Sequence, residues 1–330
     1  MQKYFYLILG LSLLSIFCAK KMLPPSPDRF PPHLIEIEPV NRVKINLTFD
    51  EEINISKLAT QSFTITTVNG ESLKIKTLGQ ERSQNIISLF TEPAKPEQYY
   101  LSGSFEDKQG NVTTINNKKF KGSSVTDTFP PKIAETAPKL GTIAKFKNVI
   151  IDFNFSEPMD TASEVIFITT PLDKNKIKWN WRYDWQNITF GYSDSFEPKS
   201  VVYFILLPTL KDLEGNELDL AGYTFFAPES ILPSKNIFGN LNYQAKPFKN
   251  GIIVFSNDKT KALAVSDVSG NFSVRLDTIS YKVTAIADTN FDNFVDLYAE
   301  IINYNPQDTT KPKLNLLPIL EGQEIDKYIR

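Results

Sequence analysis

Val43-Lys44-Ile45-Asn46-Leu47-Thr48-Phe49-Asp50-Glu51 and Val149-Ile150-Ile151-Asp152-Phe153-Asn154-Phe155-Ser156-Glu157 are two versions of one pattern. In both, the odd positions are apolar and the even ones mostly polar. Alternation with period two places one face of a strand in a core and the other in solvent. The match extends outward. Phe30-Pro31-Pro32 leads to Pro39 ahead of the first stretch, and Phe129-Pro130-Pro131 leads to Pro138 with the same spacing ahead of the second. Late in each half stands a matching pentad, Asp107-Lys108-Gln109-Gly110-Asn111 and Asp212-Leu213-Glu214-Gly215-Asn216. Glycine takes positive φ at little cost and Asp bonds its own turn backbone, so each pentad reads as a tight hairpin turn between the last two strands of its half. The architecture is therefore set by a repeat with a period of about 100 residues.

Between these landmarks lie further short β-rich runs, among them Ser62-Phe63-Thr64-Ile65-Thr66, Ile86-Ile87-Ser88-Leu89-Phe90 and Val201-Val202-Tyr203-Phe204-Ile205-Leu206-Leu207. No amphipathic helical pattern of a dozen residues stands out after residue 20, and many short strands at this spacing predict sandwiches. The chain has 330 residues, which at roughly 100–200 per domain allows two or three domains. Hydrophobic residues make up 41% and charged residues 22%, enough apolar material for several cores. The net charge of −2 gives no basic face for nucleic acid. There is a single His, His33, in the Pro-flanked stretch Pro31-Pro32-His33, and a single Cys, Cys18. A Ser–His–Asp or Cys–His nucleophile system and a zinc site both need more than this supplies. No intramolecular disulfide can form, so stability rests on packing.

Phe155-Ser156-Glu157-Pro158-Met159-Asp160 together with Lys211-Asp212-Leu213-Glu214-Gly215-Asn216 resembles the bacterial Ig-like domain of S-layer and cell-surface proteins, which carries a strand ending in Phe-Ser-Glu-Pro-Met and a later Asp-x-x-Gly-Asn turn. The second segment, 126–232, carries the resemblance; the first, 33–125, is a degraded copy, since Phe49-Asp50-Glu51-Glu52-Ile53 lacks the Ser, Pro and Met. The resemblance implies β-sandwiches used as spacers or binding units, with no catalytic residues. A third segment, 235–330, follows a different pattern. Gly251-Ile252-Ile253-Val254-Phe255 reads as a strand, Ser266 to Val274 as a hairpin turn entering another, and Tyr281-Lys282-Val283-Thr284-Ala285-Ile286-Ala287-Asp288 as a third. With its Asp267-Val268-Ser269-Gly270-Asn271-Phe272 turn and its Tyr-x-Val-x-Ala strand it resembles the carboxypeptidase regulatory-like, or transthyretin-like, β-sandwich. The expectation is an all-β chain of three tandem β-sandwich domains behind a signal peptide and a Pro-rich tether.

The N-terminus reads as an address. Met1-Gln2-Lys3 gives a positive start, and the apolar run Tyr4–Phe17 is shorter than the about 20 residues a membrane-spanning helix needs. The only Cys ends that run. Leu14-Ser15-Ile16-Phe17-Cys18 resembles a bacterial lipoprotein signal, departing from its usual form in having Phe17 just before the Cys and Ser15 three before it. The resemblance implies that residues 1–18 are the signal region and that Cys18 is lipidated; the alternative is an ordinary signal peptide or an uncleaved anchor. Residues 19–32, with Pro24, Pro25, Pro27, Pro31 and Pro32, read as an extended tether.

Four constellations could carry chemistry. In Asp288-Thr289-Asn290-Phe291-Asp292-Asn293-Phe294-Val295-Asp296, the oxygen-bearing Asp288, Asn290, Asp292 and Asp296 sit at positions 1, 3, 5 and 9, as in a calcium loop. Asn293 stands where that loop needs Gly and Ala299 where a bidentate Glu belongs, so the choice lies between a Ca²⁺-stabilised loop and an Asx-rich turn. Trp179, Trp181, Tyr183 and Trp185 alternate, which on a regular strand gives one aromatic face: a glycan or peptide platform formed by Trp179, Trp181 and Tyr183, or simply the core face of a sandwich. The turn expected at Asp184–Asn187 takes Trp185 off that face. Carboxylate groups occur at Asp50-Glu51-Glu52, at Glu157 with Asp160 and at Asp292 with Asp296; a glycosidase needs two carboxylates ~5–9.5 Å apart across a cleft. Asp160-Thr161-Ala162, Asp277-Thr278-Ile279 and Asp308-Thr309-Thr310 resemble the short O-glycosylation signal of some Bacteroidota.

Together these features predict a non-catalytic cell-envelope lipoprotein, held in the outer membrane by its lipid. It would act as a structural spacer or adhesion module toward an envelope protein or glycan, with no cofactor other than the structural Ca²⁺ that the Asp288–Asp296 loop leaves open. A glycan-binding accessory lipoprotein is the alternative, and a carboxylate hydrolase the more remote one.

Overall fold

The computed structural model describes residues 28–143, 148–194, 200–227, 232–308 and 310–329. The first segment contributes β1 (Leu34–Pro39), β2 (Lys44–Phe49), β3 (Phe63–Thr67), β4 (Ile75–Gln80), β5 (Ile86–Thr91), β6 (Gln98–Glu106) and β7 (Val112–Lys121). They form two antiparallel sheets, ordered β1-β2-β5-β4 and β3-β6-β7. The alternation read in the sequence sets the pairing. Ile45 lies opposite Leu89 and Leu47 opposite Ile87, and all four are buried with Phe49 against Ile65, Leu101 and Phe105 of the facing sheet. On the outer face Asn46 accepts a hydrogen bond from the Ser88 hydroxyl.

The second segment contributes β8 (Ile133–Ala137), β9 (Thr142–Ile143), β10 (Ile150–Phe155), β11 (Phe167–Thr170), β12 (Ile177–Trp181), β13 (Asn187–Tyr192), β14 (Val202–Leu206) and β15 (Gly222–Ala227). Its sheets run β8-β10-β13-β12 and β11-β14-β15-β9. Strand for strand this is the topology of the first segment, with β9 added in parallel beside β15. Phe153, Phe190 and Phe204 form its centre, with Phe190 and Phe204 ring centroids 4.8 Å apart.

Side chains explain how the degraded first copy keeps this fold. Ser156 of the second copy accepts the Lys132 amide on its hydroxyl; Asp50, at the same place in the first, accepts the His33 amide on its carboxylate at 2.7 Å. Met159 is fully buried and bridges to Asp212, and Ile53 is fully buried and bridges to Asp107. The pentads form the turns expected of them, Asp107–Asn111 joining β6 to β7 and Asp212–Asn216 lying between β14 and β15, each with its Gly at positive φ.

The third segment contributes β16 (Lys235–Tyr243), β17 (Lys246–Pro247), β18 (Ile252–Ser256), β19 (Lys261–Val265), β20 (Asn271–Leu276), β21 (Tyr281–Ala287), β22 (Leu297–Tyr304) and β23 (Lys313–Pro318), closed by the one-turn helix α1 (Ile325–Ile329). The order is β17-β16-β23-β22-β21-β18-β19, and β20 pairs with β16. The turn before Asn271 is therefore not a hairpin turn. β19 pairs with β18 while β20 pairs with β16, so the Asp267–Asn271 turn carries the chain from one half of the sheet to the other. Among the described residues, helix is confined to α1 and three single turns of 3₁₀ helix, and no helix is long and apolar enough to cross a membrane.

The cores of the second and third segments are not separate. Every residue of β14 is buried. Val202, Phe204 and Leu206 face the core of their own segment, whereas Tyr203 and Ile205 belong to the apolar cluster of the third, with Ile166, Ile168 and Phe225. A strand covered on both faces reads as a continuous apolar run, which is what Val201–Leu207 is. The Tyr223 hydroxyl crosses the boundary to donate to the Leu263 carbonyl at 2.6 Å, and burial pushes its pKa far above the ordinary phenol value, keeping it a neutral donor.

Candidate functional site

The positions singled out by the sequence are dispersed. Cys18 and Thr309 lie outside the described residues. The aromatic residues do not form one exposed plane. Trp179 and Trp181 lie on the edge strand β12, opposite the buried Phe190 and Ile188 of β13, and Trp181 packs on Phe155 with ring centroids 5.9 Å apart. Trp181 is thus half-buried against the core, Trp179 is 42% exposed, and Tyr183 is 72% exposed in the turn beyond the strand. Trp185 has left the face, with φ at +59°, and packs on Val43, Phe90 and Leu213.

The Asp288–Asp296 loop uses its oxygens on its own chain. Asp288 accepts the amides of Asn293 at 2.7 Å and Asp292 at 3.3 Å; Asp292 accepts the Phe294 amide and the Asn290 side chain; Asp296 accepts the amide and hydroxyl of Thr289. This is the hydrogen bonding of an Asx-rich turn, and burial raises the Asp288 pKa. Among the described residues the carboxylates that do converge are Asp28, Glu51 and Asp107, one oxygen of each lying within 4.8 Å of the others.

The most elaborated place in the fold is the junction between the first and second segments. Asn41 donates its side-chain amide to Asp127, and the Arg42 amide donates to the Val125 carbonyl, so the linker is tied to the first segment. Val43, Phe90 and Leu213 form a small buried apolar cluster across the boundary. Arg42 makes an ion pair with Glu214, a carboxylate whose side chain is only 2% exposed, and the Thr77 hydroxyl donates to the Tyr183 carbonyl at 3.0 Å.

Beside these contacts opens a cavity of about 390 Å³ lined by Asp127, Glu157, Asp212, Glu214, Glu81, Lys44 and Arg82, among others. Asp212 is held by the amides of Glu214, Gly215 and Asn216 on one oxygen and by the Asn216 side chain on the other. The same Asn216 side chain donates to the Asp127 carbonyl at 3.0 Å, which draws the incoming linker against the turn. Burial, with the Asp212 and Asp127 carboxylates nearby, pushes the Glu157 pKa up to about 7. Sequence reasoning paired Glu157 with its neighbour Asp160; the carboxylates that act on it, Asp127 and Asp212, are instead 30 and 55 positions away in the chain, which strand-level spacing cannot reveal.

Comparison with known proteins bears on the second segment. No curated protein matches the chain. Among solved structures, the N-terminal part of the bacterial S-layer protein SbsC aligns at 13% identity over 61% of this chain and 45% of that one, with a TM-score of 0.27. Domains 1–6 of the same protein align at 10% identity over 88% of this chain and 55% of that one, with a TM-score of 0.26. The chain thus spans about half the length of these S-layer structures. A tandem of titin domains aligns at 8% identity over 83% of this chain and 93% of that one, with a TM-score of 0.22. At the level of sequence families, residues 127–226 match the bacterial Ig-like domain, from Asp127 at the entry of the second segment to Phe226 in its last strand.

Proposed function

We propose that the protein is a non-catalytic, lipid-anchored spacer of the bacterial cell envelope that holds an interaction surface at a fixed distance and angle from the membrane. The observation that carries this reading is the packing of the second segment on both of its neighbours. β14 is buried on both faces between the second and third cores, and Leu213, in the turn that follows it, packs on Val43 and Phe90 of the first segment. Sandwiches joined by buried apolar surface keep their relative orientation, whereas domains joined only by a linker move independently. The bacterial Ig-like match of residues 127–226 supports an exported, cell-surface setting. In this reading Cys18 carries the lipid, residues 19–32 are the tether, and the third segment is a transthyretin-like sandwich at the far end. The packing of the half-buried Trp181 against the second core favours a structural role for the aromatic strand over a glycan platform.

Labelling of the full chain with an alkyne fatty acid in a bacterial host tests the anchor. The reading expects label on the wild type and none on Cys18→Ala. Absence of label on both would remove the lipid from the account and leave the N-terminus as a plain signal or anchor.

A further inference from the structure

Five carboxylates line the cavity of about 390 Å³ between the first and second segments, and four of them have a fixed partner. Glu81 is paired to Lys44 at 2.9 Å. Asp127, in the linker, accepts the Phe129 amide on one oxygen and the Asn41 side chain on the other. Asp212 is held by three backbone amides and the Asn216 side chain, and Glu214, in the same turn, by Arg42. Donors of this kind favour the charged form of a carboxylate. Glu157 is the exception. It stands two residues past β10, half-buried, and among the described residues it accepts only the Ser156 hydroxyl at 3.5 Å, the outer limit of a hydrogen bond.

The charges that face Glu157 do not compensate it. Asp212 acts on it from the turn and Asp127 from the linker, both with its own sign. Across the boundary Lys44 of β2 attracts it, but Lys44 is already shared with Glu81. Arg42 is committed to Glu214, and Arg82, in the turn beyond β4, is exposed. Burial first, and then the Asp212 and Asp127 charges, push Glu157 up to about 7 from its ordinary 4.5. Where the two segments part, water reaches the cavity and the carboxyl returns toward that ordinary value. A group that titrates differently in the closed and parted forms links their balance to pH.

We infer that the first junction is a proton-sensitive clamp: a protonated Glu157 keeps the two segments closed on each other, and its ionisation raises the fraction of molecules in which they part. The inference rests on the clamped junction of the spacer reading and adds a control to it. The closed form is favoured most below about pH 4.5, where Glu157 is neutral in both forms. It loses ground as the pH rises from about 4.5 to about 7, where Glu157 ionises in the parted form alone, and the balance settles above that. The parted form stays a minor one throughout, so the segments keep one relative orientation. His33, the one histidine of the chain, stands at the other end of β1 from this junction.

Val43 is 5% exposed and packs on Phe90 and Leu213 across the boundary, so a thiol in its place reacts when the segments part. The test is the reaction of the full chain carrying Cys18→Ala and Val43→Cys with dithiodipyridine, between about pH 5 and about pH 8.5. Each rate is divided by that of a peptide with the same thiol and flanking residues, which removes the thiol's own titration. The reactive fraction is expected to rise by about tenfold or more up to about pH 7.5 and to level off above it. Glu157→Gln keeps the shape of the neutral side chain and is expected to hold the fraction flat at its low value. Glu51→Gln, at the matching place of the first copy, is expected to leave the rise intact. A thiol that reacts as fast as the peptide at every pH would remove the clamp itself, and the spacer reading with it. A protected thiol whose fraction does not change with pH overturns the inference alone. So does a rise that survives Glu157→Gln, as one carried by His33 would, or one that Glu51→Gln abolishes.

Discussion

Asp50 shows how a residue that breaks a motif can keep its function. It stands where the second copy has Ser156, and both side chains accept the amide of the residue that follows the Pro-Pro pair, His33 or Lys132. Asp50→Ala leaves that amide without its acceptor and is expected to cost about 1–2 kcal/mol in urea unfolding, while Asp50→Ser restores most of the loss. Ile53 is a second such substitution. It fills the space that Met159 fills in the other copy, so Ile53→Met should cost less than about 1.5 kcal/mol and Ile53→Ala about 2–4 kcal/mol, measured the same way. The sequence alone showed the missing Ser, Pro and Met as decay. Only the structure shows that a carboxylate and a branched aliphatic chain make the same contacts. The acidic junction was hidden for a different reason. Asp212 looked like a turn residue and Glu157 like half of a local pair, because these two and Asp127 come near one another only through long-range pairing of strands and turns. Conversely, the oxygen spacing of Asp288–Asp296 was fully visible, and it encodes a loop that satisfies its own amides.

At the scale of the element, β14 separates two kinds of strand. β2 and β10 alternate and are covered on one side, as their sequences declare; β14 is apolar without interruption and is covered on both. Period-two alternation therefore gave the sandwiches, and the uninterrupted run marked the contact between two of them, although a run of seven cannot say which neighbour covers it. Ile205→Ala is expected to cost about 2–4 kcal/mol, as for any core aliphatic residue, although Ile205 points away from its own segment's core. A cost below about 0.5 kcal/mol in denaturant unfolding, typical of a solvent-facing position, would contradict the packing described. The aromatic strand β12 gives a second comparison. Trp181→Ala should destabilise by about 3 kcal/mol, while Trp179→Ala and Tyr183→Ala stay within about 1 kcal/mol, read from the same unfolding curves. The opposite ranking would place the aromatic face outward and revive a binding platform. The turn at Asp267–Asn271 could not have been distinguished from a hairpin turn in advance. Its Asp, Gly and Asn make the same local bonds whether the next strand pairs with the previous one or crosses to the other half of the sheet.

Over the whole molecule, the repeat, the buried two-faced strand and the clamped first junction combine into one property, a fixed relation between the tethered end and the far end. That property is what a spacer needs and what a string of loosely linked domains lacks. The most direct measurement is the distribution of distances between spin labels at Lys118→Cys in the first segment and Lys313→Cys in the third, in the full chain carrying Cys18→Ala, read by pulsed electron paramagnetic resonance. Both sites are exposed and lie outside the junctions. The account predicts a single narrow distribution. A broad distribution, reporting segments that reorient independently, would contradict it.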